Sequence, residues 1–216
     1  MTSEDRAAAL RLLQEEASEC TRCPLHEGRT TVVFGDGDPG ADLMFIGEGP
    51  GRHEDEQGLP FVGRSGQLLS TLLERVGLSR SEVYIANVVK CRPPGNRDPR
   101  PDEIAACKGY LAEQIKLIDP AAVVTLGNFS TKLLLKTEVG ITRMRGSAYP
   151  WWGRHVVPTF HPAAALRNGP RVVEEMVGDL ELATQIISQR SRATQGPEQE
   201  PEPVVERVPE QIELFS

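Results

Sequence analysis

Residues 42–47 read DLMFIG, an apolar run that passes directly into the glycine cluster GEGPG at 47–51. An uninterrupted apolar run of this length is typical of a strand that is buried on both faces. Three later runs have the same character: VYIANVV at 83–89, AAVVTLG at 121–127 and HVVPTF at 155–160. A segment with helical periodicity follows each run. Strands and helices that alternate in this way predict an α/β fold, in which a mostly parallel sheet is covered by helices on both sides.

The chain has the length of one ordinary domain with a terminal extension. Its 216 residues are 39% hydrophobic, which suffices for a single sizeable core. We assign this domain to residues 1–188. Residues 189–216 are rich in Glu, Pro and Gln and have few large apolar side chains before the last positions. Such a segment buries too little apolar surface to order itself, so we predict a disordered acidic tail there.

Charge is distributed unevenly along the chain. The formal net charge of −7 argues against a uniformly basic nucleic-acid-binding protein. Residues 141–171 nevertheless contain five arginines and no acidic residue, whereas residues 198–213 contain six glutamates and one arginine. The arginine-rich segment therefore predicts a cationic face on an acidic protein.

No feature of the sequence indicates a membrane protein. The chain lacks an apolar run near the roughly 18 residues of a membrane-spanning helix, and its charged N-terminus lacks a signal-peptide core. We therefore expect a monomeric cytoplasmic protein that does not contact membranes and that associates with the nucleoid in a prokaryote.

Polar residues follow the predicted strands at the places where the strands end. Glu48 and Gly49 follow the first run, Asn87 lies near the end of the second, and His161 follows the fourth. In open parallel sheets, ligands bind beyond the carboxyl ends of the strands, so these residues are expected to meet. For His161 considered alone, a helix cap or a half-buried polar residue is the more common role.

The glycine-rich segment at 47–67, GEGPGRHEDEQGLPFVGRSGQ, does not match a nucleotide-binding loop. It lacks the GxxxxGK[ST] pattern and has charged residues where a dinucleotide-binding helix would begin. A solvated acidic loop is an equally good interpretation of this segment by itself. Phe61 lies in the loop near proline and glycine, where core packing stabilises it little, so it is a candidate platform for stacking a base.

Four cysteines form a candidate metal site. Cys20 and Cys23 have C-x2-C spacing, Cys91 follows the second strand, and Cys107 lies in the next helix. In a cytoplasmic protein a disulfide framework is not expected, which leaves a metal site or four unrelated thiols. Zinc and an iron–sulfur cluster both accept four thiolates. The wide separation of the second pair favours a cluster only slightly, and the spacing leaves both open.

The chain resembles the family 4 uracil-DNA glycosylases, the iron–sulfur branch of the uracil-DNA glycosylase superfamily. Three segments and the four cysteines carry this resemblance, which runs from about residue 20 to residue 171 in the motif order of the family. The segments are GEGPGRHEDEQGLPFVGRSGQLL, YIANVVKCRPPGNR and FHPAAALRN. The resemblance implies a three-layer αβα sandwich with a central four-stranded, mostly parallel sheet. It also implies a monofunctional enzyme that removes uracil from DNA in base-excision repair, with a 4Fe-4S cluster on Cys20, Cys23, Cys91 and Cys107.

The resemblance further implies roles in uracil binding for Glu48, Gly49, Phe61 and Asn87, and the chemistry of these residues fits. The Asn87 amide can donate to O4 of uracil and accept from N3–H, whereas cytosine reverses both polarities. Phe61 would stack on the flipped base. Glu48 and Gly49 would exclude the 5-methyl group of thymine.

His161 would donate to O2 of the departing uracil as a neutral imidazole, because a helix N-terminus lowers its pKa. The residues after it would enter the minor groove, with Ala165, Leu166 and Arg167 as the wedge that fills the gap left by the flipped nucleotide. Glu48 and Glu54 are both candidates for activating the attacking water, and the sequence does not choose between them.

Sequence-independent DNA contacts are expected from the arginine-rich segment, including Arg145 and Arg154. Lys90, Arg92 and Arg97 would extend this surface. The competing hypothesis is a non-catalytic iron–sulfur or zinc DNA-binding module, which would need these cations but neither Asn87 nor His161.

The end of the tail, EQIELFS at 210–216, is an isolated apolar cluster after an acidic linker. It resembles the short Q-x-x-L-F peptides by which bacterial repair and replication proteins bind the β sliding clamp, and a stray apolar end is the alternative. Leu214 and Phe215 would fill an apolar pocket, while Gln211 would add a polar contact. The sequence therefore predicts the clamp as a second partner beside uracil-containing DNA.

Overall fold

The computed structural model describes residues 2–195, and within them the predicted alternation of strands and helices is present. The strands are β1 (Asp36–Gly37), β2 (Leu43–Gly47), β3 (Tyr84–Asn87), β4 (Ala122–Leu126), β5 (Tyr149–Trp151) and β6 (Arg154–Thr159). The helices are α1 (Ser3–Ser18), α2 (Leu25–Gly28), α3 (Arg52–Gln57), α4 (Arg64–Arg75), α5 (Pro101–Ile118), α6 (Asn128–Leu135), α7 (Ile141–Met144), α8 (Pro162–Asn168) and α9 (Pro170–Gln195). Short 3-10 helices at Arg80–Glu82 and Pro94–Asn96 join them.

The sheet has six strands in the order β1-β3-β2-β4-β6-β5. The four apolar runs form its centre, where β3, β2, β4 and β6 are parallel to one another. The expected number of four strands is wrong, because β1 and β5 add antiparallel edges. Neither edge strand has an apolar run: β1 has two residues, and β5 includes Pro150, a residue that sheets tolerate at an edge.

Two apolar clusters cover the two faces of the sheet, which confirms the predicted sandwich. Along β2, Met44 and Ile46 belong to one cluster, whereas Leu43 and Phe45 belong to the other. This division follows from the alternation of side chains along a strand. The first cluster includes residues of α1, α2, α5 and α6, and the second includes residues of α4, α8 and α9.

The order of the strands fixes the position of the functional residues. β2 lies between β3 and β4, so the chain crosses to one side of β2 and then to the other. At such a switch point the loops that leave neighbouring strands diverge and open a crevice at the carboxyl end of the sheet. Gly47 and Asn87, the last residues of β2 and β3, are direct partners in the parallel register.

The last helix extends beyond the predicted end of the domain at residue 188. α9 continues to Gln195, so the position assigned to the start of the tail, residue 189, falls inside this helix. The remainder of the predicted tail, with Gln211, Leu214 and Phe215, lies outside the described residues. None of the helices among residues 2–195 is both long and apolar enough to cross a membrane.

Candidate active site

A cavity of about 980 Å³ opens at the carboxyl end of the parallel strands. It is lined by residues from the loop after β2, from α3, from the start of α4, from the ends of β3 and β4, and from α6 and α8. Most of the site residues predicted from the sequence line it together: Glu48, Gly49, Glu54, Phe61, Asn87, His161 and Arg167. The fold therefore gathers side chains that are more than a hundred residues apart in the sequence.

Asn87 has an unsatisfied acceptor. Its side chain is 1% exposed, and its Oδ1 atom has no hydrogen-bond partner within the part of the chain that the structure describes. Leaving a buried polar group without a partner costs about 1–3 kcal/mol. Because Asn87 lines the cavity, a ligand that donates a hydrogen bond to Oδ1 removes this cost.

Gly47 allows Asn87 and Phe61 to approach each other. A Cβ atom placed on Gly47 would lie 2.4 Å from Asn87 Oδ1 and 2.7 Å from Cζ of the Phe61 ring. Both distances are too short for any side chain to fit without displacing its neighbours. The amide and the aromatic ring thus converge over one glycine, and the sequence pattern gave no sign that Gly47 has this role.

The backbone of Phe61 is held in an unusual conformation. Its φ angle is 52°, a left-handed value that costs a residue with a side chain roughly 1–3 kcal/mol. Arg80 holds this conformation, since Nη1 donates to the carbonyl oxygen of Phe61 at 3.0 Å and Nη2 to that of Pro60 at 2.9 Å. The sequence did not indicate this contact of Arg80, because Arg80 lies 19 positions from Phe61.

Glu54 is occupied in holding the same loop. Its Oε1 atom accepts hydrogen bonds from the backbone N–H groups of Val62, at 3.0 Å, and Gly63, at 2.9 Å. Gly63 is the N-cap of α4, so the carboxylate caps this helix from α3. Glu54 therefore positions the loop that carries Phe61. The sequence had suggested Glu54 only as a candidate for activating water.

His161 is presented by the first turn of α8. It is the N-cap of that helix, and its Nδ1 atom accepts from the backbone N–H of Ala163 at 3.1 Å. A backbone N–H can only donate, so Nδ1 carries no proton and the neutral ring keeps its proton on Nε2. Burial, assisted by the positive charge of Arg167, lowers the pKa of His161 to about 4. The expected neutral imidazole follows mainly from burial, whereas the sequence suggested the helix N-terminus as the cause.

The Phe61 and His161 rings face the same space. Their centroids are 5.8 Å apart, and their planes are inclined by 33°. Together with Asn87 they bring an aromatic surface, a hydrogen-bond acceptor and an N–H donor into one cavity. A small planar molecule with matching polar edges is the ligand that this arrangement suits.

Glu48 has the most perturbed carboxyl group in the cavity. Burial raises its pKa to about 7, and a hydrogen bond and the negative charge of Asp98 add to the increase. Asp98 lines the same cavity but was not among the residues singled out from the sequence. Its position in the loop CRPPGNRDPRP gave no signal, because the contact with Glu48 spans 50 positions.

The predicted wedge is only partly exposed. Leu166 is 43% exposed, and Arg167 is exposed at the edge of the cavity. Ala165, in contrast, is 2% exposed and packs in the apolar cluster of α4 and α9, so the free protein does not present it to DNA. The helical conformation of α8 turns this side chain towards the core.

Three of the cations that were predicted to contact DNA form ion pairs or hydrogen bonds within the protein. Arg145 pairs with the buried Asp179 at 2.9 Å, and Arg154 pairs with Asp119 at 2.5 Å. Lys90 is 1% exposed and donates from Nζ to the carbonyl oxygen of Asn87 at 2.8 Å. Lys90 is therefore too buried to meet a phosphate, and the guanidinium groups of Arg145 and Arg154 are already paired with carboxylates. The cations that line the cavity come from several elements instead: Arg52, Arg64, Arg97, Lys132 and Arg167.

A second and much smaller cavity, of about 10 Å³, lies between α1, α2 and α5. All four cysteines line it: Cys20, Cys23, Cys91 and Cys107. They are free thiols, and three of them accept hydrogen bonds from Arg22, Arg29 and the backbone N–H of Lys90. Within residues 2–195, no three His, Cys, Asp or Glu side chains are close enough to hold a single metal ion.

Comparison with known proteins agrees with this geometry. The model of the uracil DNA glycosylase superfamily matches residues 34–181. A type-4 uracil-DNA glycosylase of Thermotoga maritima is 45% identical over 84% of this chain and 96% of its own length. One from Sulfurisphaera tokodaii is 48% identical over 74% of this chain and 77% of its own length. A type-5 uracil-DNA glycosylase of Pyrobaculum aerophilum is 30% identical over 67% of this chain and 71% of its own length. The chain therefore belongs to the uracil DNA glycosylase superfamily and, within it, to the type-4 enzymes.

Proposed function

We infer that the chain is a uracil-DNA glycosylase that acts in DNA repair, in agreement with the names of its type-4 relatives. It hydrolyses the N-glycosidic bond between uracil and deoxyribose after the nucleotide has left the base stack. The observation that carries this proposal is the buried Oδ1 of Asn87, which has no hydrogen-bond partner among residues 2–195 and lies in one cavity with the Phe61 and His161 rings.

Asn87 supplies the recognition of uracil. Its Oδ1 accepts from N3–H, and its amide nitrogen donates to O4, so both polar edges of the base are matched. Cytosine presents an acceptor at N3 and a donor at N4, which would leave both the oxygen and the nitrogen of the buried Asn87 amide without a partner. At about 1–3 kcal/mol for each unpaired group, this difference alone favours uracil by one to several orders of magnitude. Phe61 stacks on the base, and Glu48 and Gly49 border the position of the 5-methyl group of thymine.

His161 stabilises the departing base. Negative charge collects on O2 of uracil as the bond between N1 and C1′ breaks, and the Nε2–H group of a neutral imidazole donates to that oxygen. Such a donor accelerates the reaction because it binds the transition state more strongly than the ground state. With its pKa near 4, His161 is neutral throughout the physiological range.

Glu48 is the better candidate for activating the attacking water. Glu54 already accepts two backbone hydrogen bonds through Oε1, whereas the Glu48 carboxyl lines the cavity with a pKa of about 7. A base is most effective when its pKa lies near the working pH. We assign proton removal to Glu48 and loop positioning to Glu54.

Leu166 and Arg167 form the wedge that enters the duplex. Both are exposed at the end of α8, whose first residues follow His161 directly. Insertion of this segment would hold the gap left by the flipped nucleotide while His161 reaches the base. The wedge and the leaving-group donor would then arrive as one rigid unit.

The four cysteines suit a 4Fe-4S cluster. Four thiols line one small cavity. Zinc and a 4Fe-4S cluster both accept four thiolates, and the resemblance to the type-4 enzymes implies the cluster. Cys20, Cys23, Cys91 and Cys107 would hold the cluster, which would then link the segment after α1, the loop after β3 and α5. Arg22, Arg29 and the Lys90 backbone donate to the sulfurs and would partly balance the negative charge of the thiolates.

Two further proposals concern the setting of the enzyme. We propose that it works as a cytoplasmic, nucleoid-associated monomer. We also propose that Gln211, Leu214 and Phe215 bind the β sliding clamp, which would keep the enzyme beside newly replicated DNA.

A uracil-excision assay tests the proposed function. The protein is incubated with a duplex that contains one uracil, and abasic sites are then cleaved with alkali. We expect strand cleavage by the natural protein and a loss of about 100- to 1000-fold in kcat for His161→Ala, as for loss of a donor to a developing anion. His155→Ala is the matched control, since His155 lies at the opposite end of β6.

The same assay separates the enzyme from the non-catalytic alternative. Asn87→Ala should lose excision while keeping most of its affinity for DNA, because Asn87 is buried and contacts only the flipped base. Absence of cleavage by the natural protein, with DNA binding retained, would support the DNA-binding module and reject the enzyme.

A further inference from the structure

Lys90 is a buried lysine that contacts the residue proposed to recognise uracil. Its side chain is 1% exposed, and its Nζ atom donates to the carbonyl oxygen of Asn87 at 2.8 Å and to Oε1 of Gln114 at 2.5 Å. Both acceptors are neutral groups. Lysine is rarely buried to this extent, because an ammonium group loses its hydration there. The contact with Asn87 offers a functional reason for this burial.

Gln114 connects Lys90 to the rest of the protein. It is completely buried in α5, and its Nε2 atom donates to the carbonyl oxygen of Phe34 at 2.9 Å and to the hydroxyl oxygen of Tyr84 at 3.2 Å. Phe34 precedes β1, and Tyr84 is the first residue of β3. The side chain of Gln114 therefore holds Lys90 against two further segments of the fold.

The backbone of Lys90 is fixed as well. Its N–H group donates to Sγ of Cys107 at 3.3 Å, and its carbonyl oxygen accepts from the N–H group of Val33 at 2.8 Å. Because the main chain and the side chain of Lys90 are both held, its Nζ atom has a defined position. The carbonyl oxygen of Asn87, three residues earlier, is held in place by that atom.

Asn87 depends on such support from its backbone. Its Oδ1 atom has no hydrogen-bond partner among residues 2–195, so no contact of this oxygen with the described protein orients the amide. The direction of the amide then follows from packing and from the main chain of residue 87. The N–H group of Val88 donates to the carbonyl oxygen of Gly47 at 3.0 Å, and Lys90 holds the carbonyl group on the other side of the same peptide bond.

We propose that Lys90 and Gln114 are positioning residues for uracil recognition, which fix the main chain that presents the Asn87 amide to the base. This inference rests on the proposed function. Neither residue contacts uracil; both act through Asn87. If the carbonyl group of Asn87 loses its donor, the amide can shift by about 1 Å, and its hydrogen bonds to N3–H and O4 become too long to be useful.

The first test is a double-mutant cycle between Lys90→Met and Asn87→Ala. Methionine keeps most of the length of the lysine side chain and removes its N–H donors. The rate constant of excision is measured in single turnovers, with the full-length protein in saturating excess over a duplex that contains one uracil. We expect Lys90→Met to lower it by about 10- to 100-fold, as for other small displacements in active sites. In an Asn87→Ala background the same substitution should cost less than about threefold, because no amide remains to be positioned.

The second test measures recognition without excision. Its probe is a duplex with one 2′-fluoro-2′-deoxyuridine, in which the fluorine disfavours the oxocarbenium-like transition state, so that the base stays attached. The natural protein should bind this duplex more tightly than the same duplex with thymine. Lys90→Met should lose most of that preference and keep its affinity for the thymine duplex within about twofold. A general loss of structure would lower both affinities.

Two variants control for charge and for stability. Lys116→Met removes an exposed ammonium group from the same helix as Gln114 and should leave the rate unchanged. Leu10→Ala opens a cavity in the apolar core at α1 and should lower Tm, but it does not touch the network around Lys90. At a temperature where it is folded, it should excise uracil at the natural rate. Iron is measured in every variant, because Lys90 precedes Cys91.

The outcomes are distinct. If the natural protein does not excise uracil, the proposed function fails. If it does, and folded Lys90→Met keeps the natural rate or loses as much in the Asn87→Ala background as alone, the positioning role is wrong while the function stands. Should Lys90→Met fold poorly or lose iron, Gln114→Met decides by the same cycle and the same two duplexes, since it keeps Lys90 and removes the acceptor that holds it.

Discussion

Replacing Gly47 by alanine probes the convergence of Asn87 and Phe61. Gly47 has ordinary strand geometry, so alanine causes no backbone strain, but its Cβ would lie 2.4 Å from Asn87 Oδ1 and 2.7 Å from Phe61 Cζ. Ordinary contacts begin at 3.4 Å, so the amide oxygen must move by about 1 Å. A displacement of this size lengthens a 2.9 Å hydrogen bond beyond the useful range.

The expected result for Gly47→Ala is a loss of about 100-fold in kcat/KM for uracil excision, the typical cost of a 1 Å misplacement in an active site. Steady-state kinetics on a duplex with one uracil measure this loss. Gly178→Ala is the matched control: Gly178 is exposed on α9, and an added Cβ meets no atom of the described part of the chain within 4 Å. Circular dichroism and thermal melting show whether both variants are folded.

A double-mutant cycle identifies the cause of the loss. If Gly47→Ala acts by displacing the Asn87 amide, it should cost much less activity in an Asn87→Ala background than in the natural protein. A folded Gly47→Ala protein with kcat/KM within about threefold of the natural value would refute the convergence of these groups.

Four further predictions follow from the site. The imidazole of His161 has a pKa near 4, so it should show no NMR titration between about pH 5 and 8. The free energy of unfolding should fall as the pH drops from about 6.5 towards 4. In that range the unfolded state binds a proton that the folded state does not. Arg167→Gln should reduce the slope of log K against log salt for DNA binding by about 0.9, whereas Arg75→Gln, at the far end of α4, should leave it unchanged. Metal and sulfide analysis should find four iron and four sulfide per chain, a content that Cys107→Ser should lower; a colourless protein with stoichiometric zinc would contradict the cluster. Removal of residues 211–216 should abolish binding to the β sliding clamp without changing excision on short duplexes, and equal clamp binding by both proteins would reject the motif.

The sequence alone determined the centre of the fold. Strands buried on both faces require continuous apolar runs, and the four runs that the sequence shows became the four parallel strands. The meeting of Asn87 and His161, at the ends of two of these runs, in one cavity was predictable because parallel strands carry their carboxyl ends to one edge. The edge strands β1 and β5 were not predictable, because a short strand that is exposed on one side needs no apolar pattern.

Only the tertiary structure decided which charged groups are available. Arg145 and Lys90 looked equivalent to exposed cations in the sequence, yet one pairs with buried Asp179 and the other donates to the Asn87 carbonyl. The sequence likewise did not indicate the partners of Glu54 and Asp98. Glu54 caps α4, and Asp98 raises the pKa of Glu48, which lies 50 positions away. Buried apolar residues recur at regular spacing in the sequence, because their burial depends on the local direction of each side chain along a helix or strand. The partner and the solvation of a charge depend on distant segments that only folding brings into contact.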